Sequence, residues 1–316
     1  MNAYDVAVIG GGAAGLSAAL VLSRARRRVL VVDSGAPRNA PAAHMQGFLS
    51  RDGLPPADLL AMGRQEVAGY GGELVDGVVA EVAPAGRLGF SLRLADGTGV
   101  SARRVLLATG LRDVLPDVAG LSERWAVDVL HCPYCHGWEV RDRRLGVLGG
   151  SPDAVRYAQI VRQWSTDVVF FAPMGSLSVD ERSQLLARAV SVVEGAVSRV
   201  VVEDDHLCGV ELDDGRVVPR DAVFVPPRFE PHSDLLVGLG CDLDDNGWPV
   251  LDPTGQTTVR GVWAAGNVAN ARAQVITAAG EGSAVAIAIN ADLVDEDVRR
   301  AVDDLNQGFT ETKEHS

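Results

Sequence analysis

Asp5-Val6-Ala7-Val8-Ile9-Gly10-Gly11-Gly12-Ala13-Ala14-Gly15 joins a short apolar run directly to glycines spaced Gly-x-Gly-x-x-Gly. The run from Val6 to Ile9 does not alternate with polar residues, so it reads as a parallel strand buried on both faces. Helical apolar spacing follows from Leu16 to about Ser23. In that strand–turn–helix setting Gly10 permits the tight turn. Gly12 lets the backbone approach a pyrophosphate at the helix N-terminus, and Gly15 lets helix and strand pack closely. Ala13 and Ala14 complete the turn. A second strand, Val29 to Val32, ends in Asp33, 18 residues past Gly15. The acid that binds an adenosine ribose is expected at about 20. Asp33 alone could be an ordinary loop or cap residue. With both strands in place the pattern predicts a dinucleotide site.

Further along, residues 34–56 hold Pro37, Pro41, Pro55 and Pro56 and read as a loop. Arg38, Asn39, His44 and Gln46 lie in it, either wrapping a cofactor or as a solvated connection. A helix is expected over 57–70, strands over Glu73–Ala83, Phe90–Leu94 and Arg104–Ala108, and a hairpin turn at 95–98. The last of these strands ends in Thr109-Gly110, where backbone can approach a cofactor. Near the far end, Val262 to Ala265 is a strand ending in Gly266-Asn267. A helical pattern covers Ala271 to Asn290, with Gln274 and Val275 near its start. This arrangement predicts a second contact to the ligand of Gly10–Gly15. The polar tail past about residue 305 is expected to fray.

Between these segments the strand–turn–helix pattern recurs. Leu145–Leu148 leads into Gly149-Gly150-Ser151-Pro152-Asp153-Ala154, a helical stretch to about Trp164, and a strand at Val168–Phe171. One offset relates the two: 149 − 10 = 139, 154 − 15 = 139 and 172 − 33 = 139. The fold class is therefore α/β, with the dinucleotide-binding unit duplicated. The chemistry is not repeated. Ser151 replaces Gly12, Pro152 removes a backbone donor, and Ala172 replaces the ribose acid. Residues 172–181 contain no arginine or lysine for a 2′-phosphate. The second domain is expected to bind a nicotinamide nucleotide poorly, the alternative being a weak or unusual NAD(P)H site.

Just before that second copy stands His131-Cys132-Pro133-Tyr134-Cys135-His136-Gly137-Trp138-Glu139. A Cys-x-x-Cys pair can close a disulfide, and one thiolate can attack a partner while the other resolves. A zinc site would need two further ligands at suitable spacing. His131 and His136 are too near the cysteines, and Cys208 and Cys241 are isolated, so the motif reads as redox rather than metal. The 316 residues allow two domains. The net charge of −13 argues against nucleic acid and anionic membranes as partners. No apolar run approaches the ~20 residues of a membrane span, and no leader pattern precedes the first strand. A cytoplasmic protein is expected.

Taken together, these residues resemble the low-molecular-weight thioredoxin reductases, class II FAD-dependent pyridine nucleotide-disulfide oxidoreductases. The resemblance rests on Gly10–Gly15 with Asp33, Ala108-Thr109-Gly110, the Cys-x-x-Cys before the second glycine turn, Ala264-Ala265-Gly266-Asn267, and Gln274–Gly282. It implies two Rossmann-like, three-layer ββα dinucleotide-binding domains, the second inserted into the first: an FAD domain in two parts, 1–113 and 229–316, around an NAD(P)-like domain, 114–228, that carries the cysteines. It implies FAD contacts from Gly10, Gly12, Ala13, Ala14, Gly15, Asp33, Arg38, His44, Val79, Thr109, Gly110, Gly266, Asn267, Gln274 and Val275, and a homodimer. By the same resemblance Cys135 faces the flavin and Cys132 exchanges with substrate. The family usually has aspartate where this chain has Asn267, whose carbonyl can still accept a ribityl hydrogen bond.

Cys-Pro-Tyr-Cys-His-Gly-Trp-Glu and the eroded second turn resemble a subgroup, the dithiol oxidases of gliotoxin and holomycin pathways. That resemblance implies a small-molecule dithiol as substrate, O2 as acceptor, and catalysis by Cys132, Cys135 and His136. Glu139 is placed either to orient a histidine or simply as a solvated helix residue. The competing readings are an NAD(P)H- or ferredoxin-fed reductase of a thioredoxin-like protein, and a non-enzymatic flavin redox sensor.

Overall fold

The computed structural model describes residues 3–86 and 89–314. They form two compact units, one of 1–38, 57–112 and 231–316, the other of 39–56 and 113–230. The loop segment 39–56 thus packs with the second unit.

The first unit begins with β1 (Ala3–Ile9), α1 (Ala13–Arg24), β2 (Val29–Asp33), α2 (Pro56–Gly69) and β3 (Glu73–Asp76). An antiparallel meander follows, of β4 (Val79–Ala85), β5 (Gly89–Leu94) and β6 (Gly99–Leu107). The strand expected over Glu73–Ala83 is therefore two. β3 lies parallel to β2, while β4 pairs antiparallel with β5. Gly77 sits between them and donates its N–H to the Asp33 carbonyl at 2.8 Å, which ends one pairing before the other starts.

β7 (Leu111–Val114) leads out of the first unit. The second unit contains β8 (Val129–Leu130), α3 (Pro133–His136), β9 (Leu145–Leu148), α4 (Ala154–Val161), β10 (Val168–Ala172), α5 (Val179–Ala187) and β11 (Val190–Glu194). A three-stranded antiparallel sheet of β12 (Val197–Glu203), β13 (His206–Leu212) and β14 (Val217–Pro219) follows, then β15 (Ala222–Phe224). β16 (Arg228–Pro231) returns the chain to the first unit. There α6 (Asp234–Gly238), β17 (Val262–Ala264) and α7 (Val275–Glu314) complete it. α7 continues to Glu314, past the point where its polar composition predicts fraying, because a helix already under way adds one hydrogen bond per residue.

Among the described residues the first unit's sheet runs β3-β2-β1-β6-β5-β4, with β17 also on β6. The second unit's parallel sheet runs β11-β10-β9-β15-β8. Both are doubly buried, and period-2 alternation sorts their side chains onto two faces. In β1, Val6 and Val8 join α1 and α7 in one core cluster, while Ala7 and Ile9 join the meander in another. In β10, Val168 and Phe170 pack with α4, and Val169 and Phe171 pack with β12 and β13. Each unit is thus three layers, helices over a parallel sheet over an antiparallel one, as expected for the two-domain α/β class.

The duplication is visible in hydrogen bonds. Gly10 N–H donates to the Val32 carbonyl and Gly149 N–H to the Phe171 carbonyl, each at 2.8 Å, and 171 − 32 = 139. β2 and β10 also keep the offset at both ends (168 − 29 and 172 − 33). The helices do not. The image of Ala13 would be residue 152, yet α4 starts at Ala154, so the second turn is two residues longer (154 − 152). The constant offset pairs Ala154 with Gly15, but the two differ in their place along the helix. Ala154 is the first residue of its helix, whereas Gly15 is the third of α1.

At one point α1 and α7 meet backbone to backbone. A Cβ on Gly282 would lie 2.0 Å from the Ala14 carbonyl oxygen. Gly282→Ala is expected to push the helices apart at a cost of about 1–3 kcal/mol, the usual range for overpacking. Urea unfolding of the purified protein would read this as a lower midpoint; an unchanged midpoint would show that the contact relaxes freely.

Candidate redox and dinucleotide sites

In the first unit the turn between β1 and α1 is shaped by contacts no side chain could share. Gly10 has φ +105°, and a Cβ there would lie 2.3 Å from the Ala108 carbonyl oxygen. A Cβ on Gly15 would lie 1.9 Å from the Gly10 carbonyl oxygen. At Gly12, by contrast, a Cβ would meet nothing within 4 Å. Gly12 caps α1 with no side-chain hydrogen bond. The first-turn N–H groups of α1 have no acceptor within the helix, so they face open space that a pyrophosphate can fill. On this ground the residues fit an FAD pyrophosphate.

Asp33 closes the site from the end of β2. Its Oδ1 accepts the Gly11 N–H at 3.0 Å, and its Oδ2 accepts from Arg64 on α2 at 2.6 Å. Arg64 also reaches Asp76 at 3.0 Å. A carboxylate has about four lone-pair sites, so acceptor capacity remains for a ribose diol. Neither Gly11 nor Arg64 was singled out by the sequence pattern. Gly11 occupies an x position of the motif, but a Cβ there would lie 2.8–2.9 Å from the Asp33 carboxylate group.

The other predicted residues of this unit fall into distinct places. Gly110 has φ +75° and accepts the His232 N–H at 3.0 Å, while the Thr109 hydroxyl donates to the His232 carbonyl at 2.9 Å. Gly266, φ +74°, ends the β17 segment, and a Cβ on it would be 2.8 Å from that of Ala14. The end of β17 and the start of α1 are therefore adjacent. Val79 is a buried core residue at the start of β4, so only its backbone is available to a ligand. The Gln274 carbonyl accepts the Ala278 N–H at 2.8 Å, and α7 starts at Val275.

Asn267 does what aspartate could not. Its Nδ2 donates to the Asn270 carbonyl at 2.9 Å and the Ala273 carbonyl at 3.0 Å, leaving Oδ1 to accept from Arg38 at 3.3 Å. Asn270 and Glu281 continue the network. Glu281 accepts the Gly266 N–H at 3.1 Å and the Asn270 amide at 2.7 Å. These two residues were missed in the sequence, because only the folded turn brings positions 266, 270 and 281 together. His44 lies in the segment that packs with the second unit, its Nδ1 3.0 Å from the Gly53 carbonyl.

In the second unit Cys132 and Cys135 are joined as a disulfide, with Cα atoms 5.2 Å apart. Cys132 caps α3, and its carbonyl accepts the N–H groups of Cys135 and His136, each at 3.1 Å. Both cysteines are half-buried, so a small thiol can reach them. Burial lowers the His136 pKa below the usual imidazole value, partly offset by the Glu139 carboxylate. Burial thus favours the neutral imidazole of His136. The His131 ring packs edge-on against Phe229 at 5.1 Å. Among the described residues no group of three or more His, Cys, Asp or Glu could hold a metal ion.

A nucleotide-binding domain followed by an inserted domain with a redox disulfide defines a flavin disulfide oxidoreductase. Residues 4–282 match the model of the pyridine nucleotide-disulphide oxidoreductase family, and the chain belongs to that family. It is thioredoxin reductase-like. It is 30% identical over 305 residues to thioredoxin reductase sirT of Leptosphaeria maculans, covering 91% of this chain and 93% of the relative. To thioredoxin reductase tcpT of Claviceps purpurea it is 30% identical over 282 residues, covering 84% and 87%. Among solved structures, HlmI superposes with a TM-score of 0.93 at 57% identity, covering 96% of each chain. An oxidoreductase from Agrobacterium tumefaciens gives 0.88 at 35% identity, covering 93% and 99%. These likenesses agree with the subgroup expected from the cysteine motif. The chain is a flavin-dependent thiol–disulfide oxidoreductase, and its cofactor is FAD. Among the described residues no helix is long and apolar enough to cross a membrane.

Gly11→Ala is expected to weaken FAD retention about tenfold or more, since the new methyl group must displace the Asp33 carboxylate. Fluorescence titration of the apoprotein with FAD measures it; wild-type affinity in the variant would show that this close approach is not part of the site.

Proposed function

We propose that the chain is a dithiol oxidase. It closes an intramolecular disulfide in a small-molecule dithiol, uses O2 as the final electron acceptor and releases H2O2. The observation that carries this reading is the second glycine turn. α4 starts two residues late, behind Ser151 and Pro152, and its N-cap is Asp153. A carboxylate stands where a pyrophosphate would need a donor, and Ala172 stands where the ribose acid would be. Such a turn repels a nicotinamide nucleotide, so electrons must come from elsewhere. A substrate dithiol is the source that the Cys132–Cys135 disulfide can accept.

The residues act as follows. His136, neutral because it is buried, takes the proton from a substrate thiol. The resulting thiolate attacks Cys132, breaking the Cys132–Cys135 bond and forming a mixed disulfide. The second substrate thiolate then attacks the substrate sulfur of that mixed disulfide. This closes the product ring and releases Cys132, so two electrons and two protons have passed from substrate to the cysteine pair. Bound FAD would supply a two-electron acceptor for the reduced cysteine pair and a route from it to oxygen. The Gly10–Gly15 amides, Asp33, Thr109, Gly110, Gly266, Asn267, Gln274 and Val275 would hold it. A cytoplasmic homodimer acting in the biosynthesis of a sulfur-containing secondary metabolite accompanies this reading.

The named relatives favour a second reading, an NAD(P)H- or ferredoxin-fed reductase of a thioredoxin-like protein. Anaerobic mixing separates the two. A small dithiol is expected to bleach the flavin and NADPH to leave it yellow, with oxygen uptake when air is admitted. Rapid bleaching by NADPH would overturn the oxidase reading. Cys132→Ser is expected to abolish dithiol-dependent oxygen uptake.

Glu139 raises the His136 pKa, so removing its charge must lower that pKa further. Glu139→Gln is therefore expected to move the acid limb of the kcat/KM profile to lower pH. A limb that stays in place or moves up would exclude His136 as the titrating base.

A further inference from the structure

We infer that α4 and the turn after it act as a clamp on the redox segment, with Tyr157 and Trp164 as its positioning residues. The grip has three parts, all within the second unit. At the entrance, the Tyr157 hydroxyl donates to the carbonyl of His131, the residue before Cys132. The Tyr157 ring is itself anchored edge-on against Phe224, 6.4 Å away, on the buried strand β15. In the middle, Trp164 lies under α3. A Cβ on Gly137 would be 2.7 Å from its Cδ2 atom, and the Tyr134 ring meets it edge-on at 5.4 Å. At the exit, the Trp164 carbonyl accepts the Asp142 N–H at 2.9 Å, and the Ser165 hydroxyl donates to the Arg143 carbonyl at 2.5 Å. Burial keeps the Tyr157 phenol protonated, so it remains a donor.

The segment 131–143 is therefore held at both ends and beneath its helix by groups that are not sulfur. Opening the disulfide removes one covalent bond and leaves these contacts in place. The two thiols then stay close, and the entropy that an untethered segment would gain on opening is withheld. The clamp raises the effective concentration of each thiol for the other and favours the closed pair. This rests on the cysteine pair being the redox group of the proposed function, but it holds whether electrons leave for oxygen or arrive from a nucleotide.

The test is the thiol–disulfide equilibrium of the FAD-loaded full chain in anaerobic glutathione buffers, read by alkylation and mass. Closing forms the Cys132–Cys135 bond and breaks that of glutathione disulfide, which leaves as two thiols carrying the two electrons and two protons. Tyr157→Phe frees the reduced segment while the disulfide still restrains the oxidised one, so the closing constant is expected to fall by up to about fivefold, the worth of one neutral hydrogen bond being the ceiling, or about 20 mV for a two-electron couple. Trp164→Leu should act in the same direction. In the reduced wild type, the amides of Cys135, His136 and Gly137 should keep the hydrogen-exchange protection they have when oxidised, and lose it in Tyr157→Phe. A variant with lowered thermal stability but a wild-type closing constant would show a merely structural role and overturn the inference, as would loss of that protection on reducing the wild type. Bleaching by NADPH would overturn the oxidase reading while leaving this equilibrium unaffected.

Discussion

Everything in the first unit hangs on how closely α1 can be brought back over the end of β1. The Gly15 Cα hydrogen faces the Gly10 carbonyl at a distance no methyl group could occupy. That contact sets the angle of α1, and α1 sets the rest. Ala14 is wedged where Gly266 and Gly282 both lack side chains, so the end of β17 and the first turns of α7 reach the same point. Three segments far apart in sequence thus meet at one point. Their convergence comes from missing side chains more than from attractive ones, and packed interiors make such contacts unforgiving.

Away from the site, charge takes over the same task. Arg104 and Glu296 are almost fully buried and paired at 2.5 Å, and Arg104 also bonds Asp292. Arg103 joins Glu296 to Asp5. Burial alone would raise the Glu296 pKa, but the two arginines hold it below the usual carboxylate value. A buried pair of this kind contributes little net stability compared with apolar residues, yet breaking it is costly. Its effect is positional. It ties the body of α7 to β6 and β1 in one register, which keeps Gly282 opposite Ala14.

The second unit keeps the frame of the first and changes its first turn. Its strands keep the offset of the first unit, and even the Gly149 hydrogen bond is repeated. Lengthening the turn by two residues moved the helix start, put Asp153 at its N-cap and removed the need for a glycine at 154. This helix presents Tyr157 toward the cysteine motif, with Trp164 following just beyond its end. One supersecondary unit therefore supports two different chemistries, depending on what its first turn carries.

The sequence by itself determined the frame: two glycine turns, the strands on either side, the cysteine pair and the family they resemble. These signals are local, because strand, turn and helix periodicity and the demands of a tight turn are written within about thirty consecutive residues. It was less reliable where a signal depended on propensity alone. A run of strand-forming residues hid the break at Gly77. The tertiary structure alone decided which groups share a partner. The Gly11 approach to Asp33, the Arg64 pairing, the amide network of Asn267, Asn270 and Glu281, and the reach of Tyr157 to His131 join residues 3 to 31 positions apart. Hydrogen bonds of a few ångströms are fixed by packing across layers, and no periodicity along the chain encodes them.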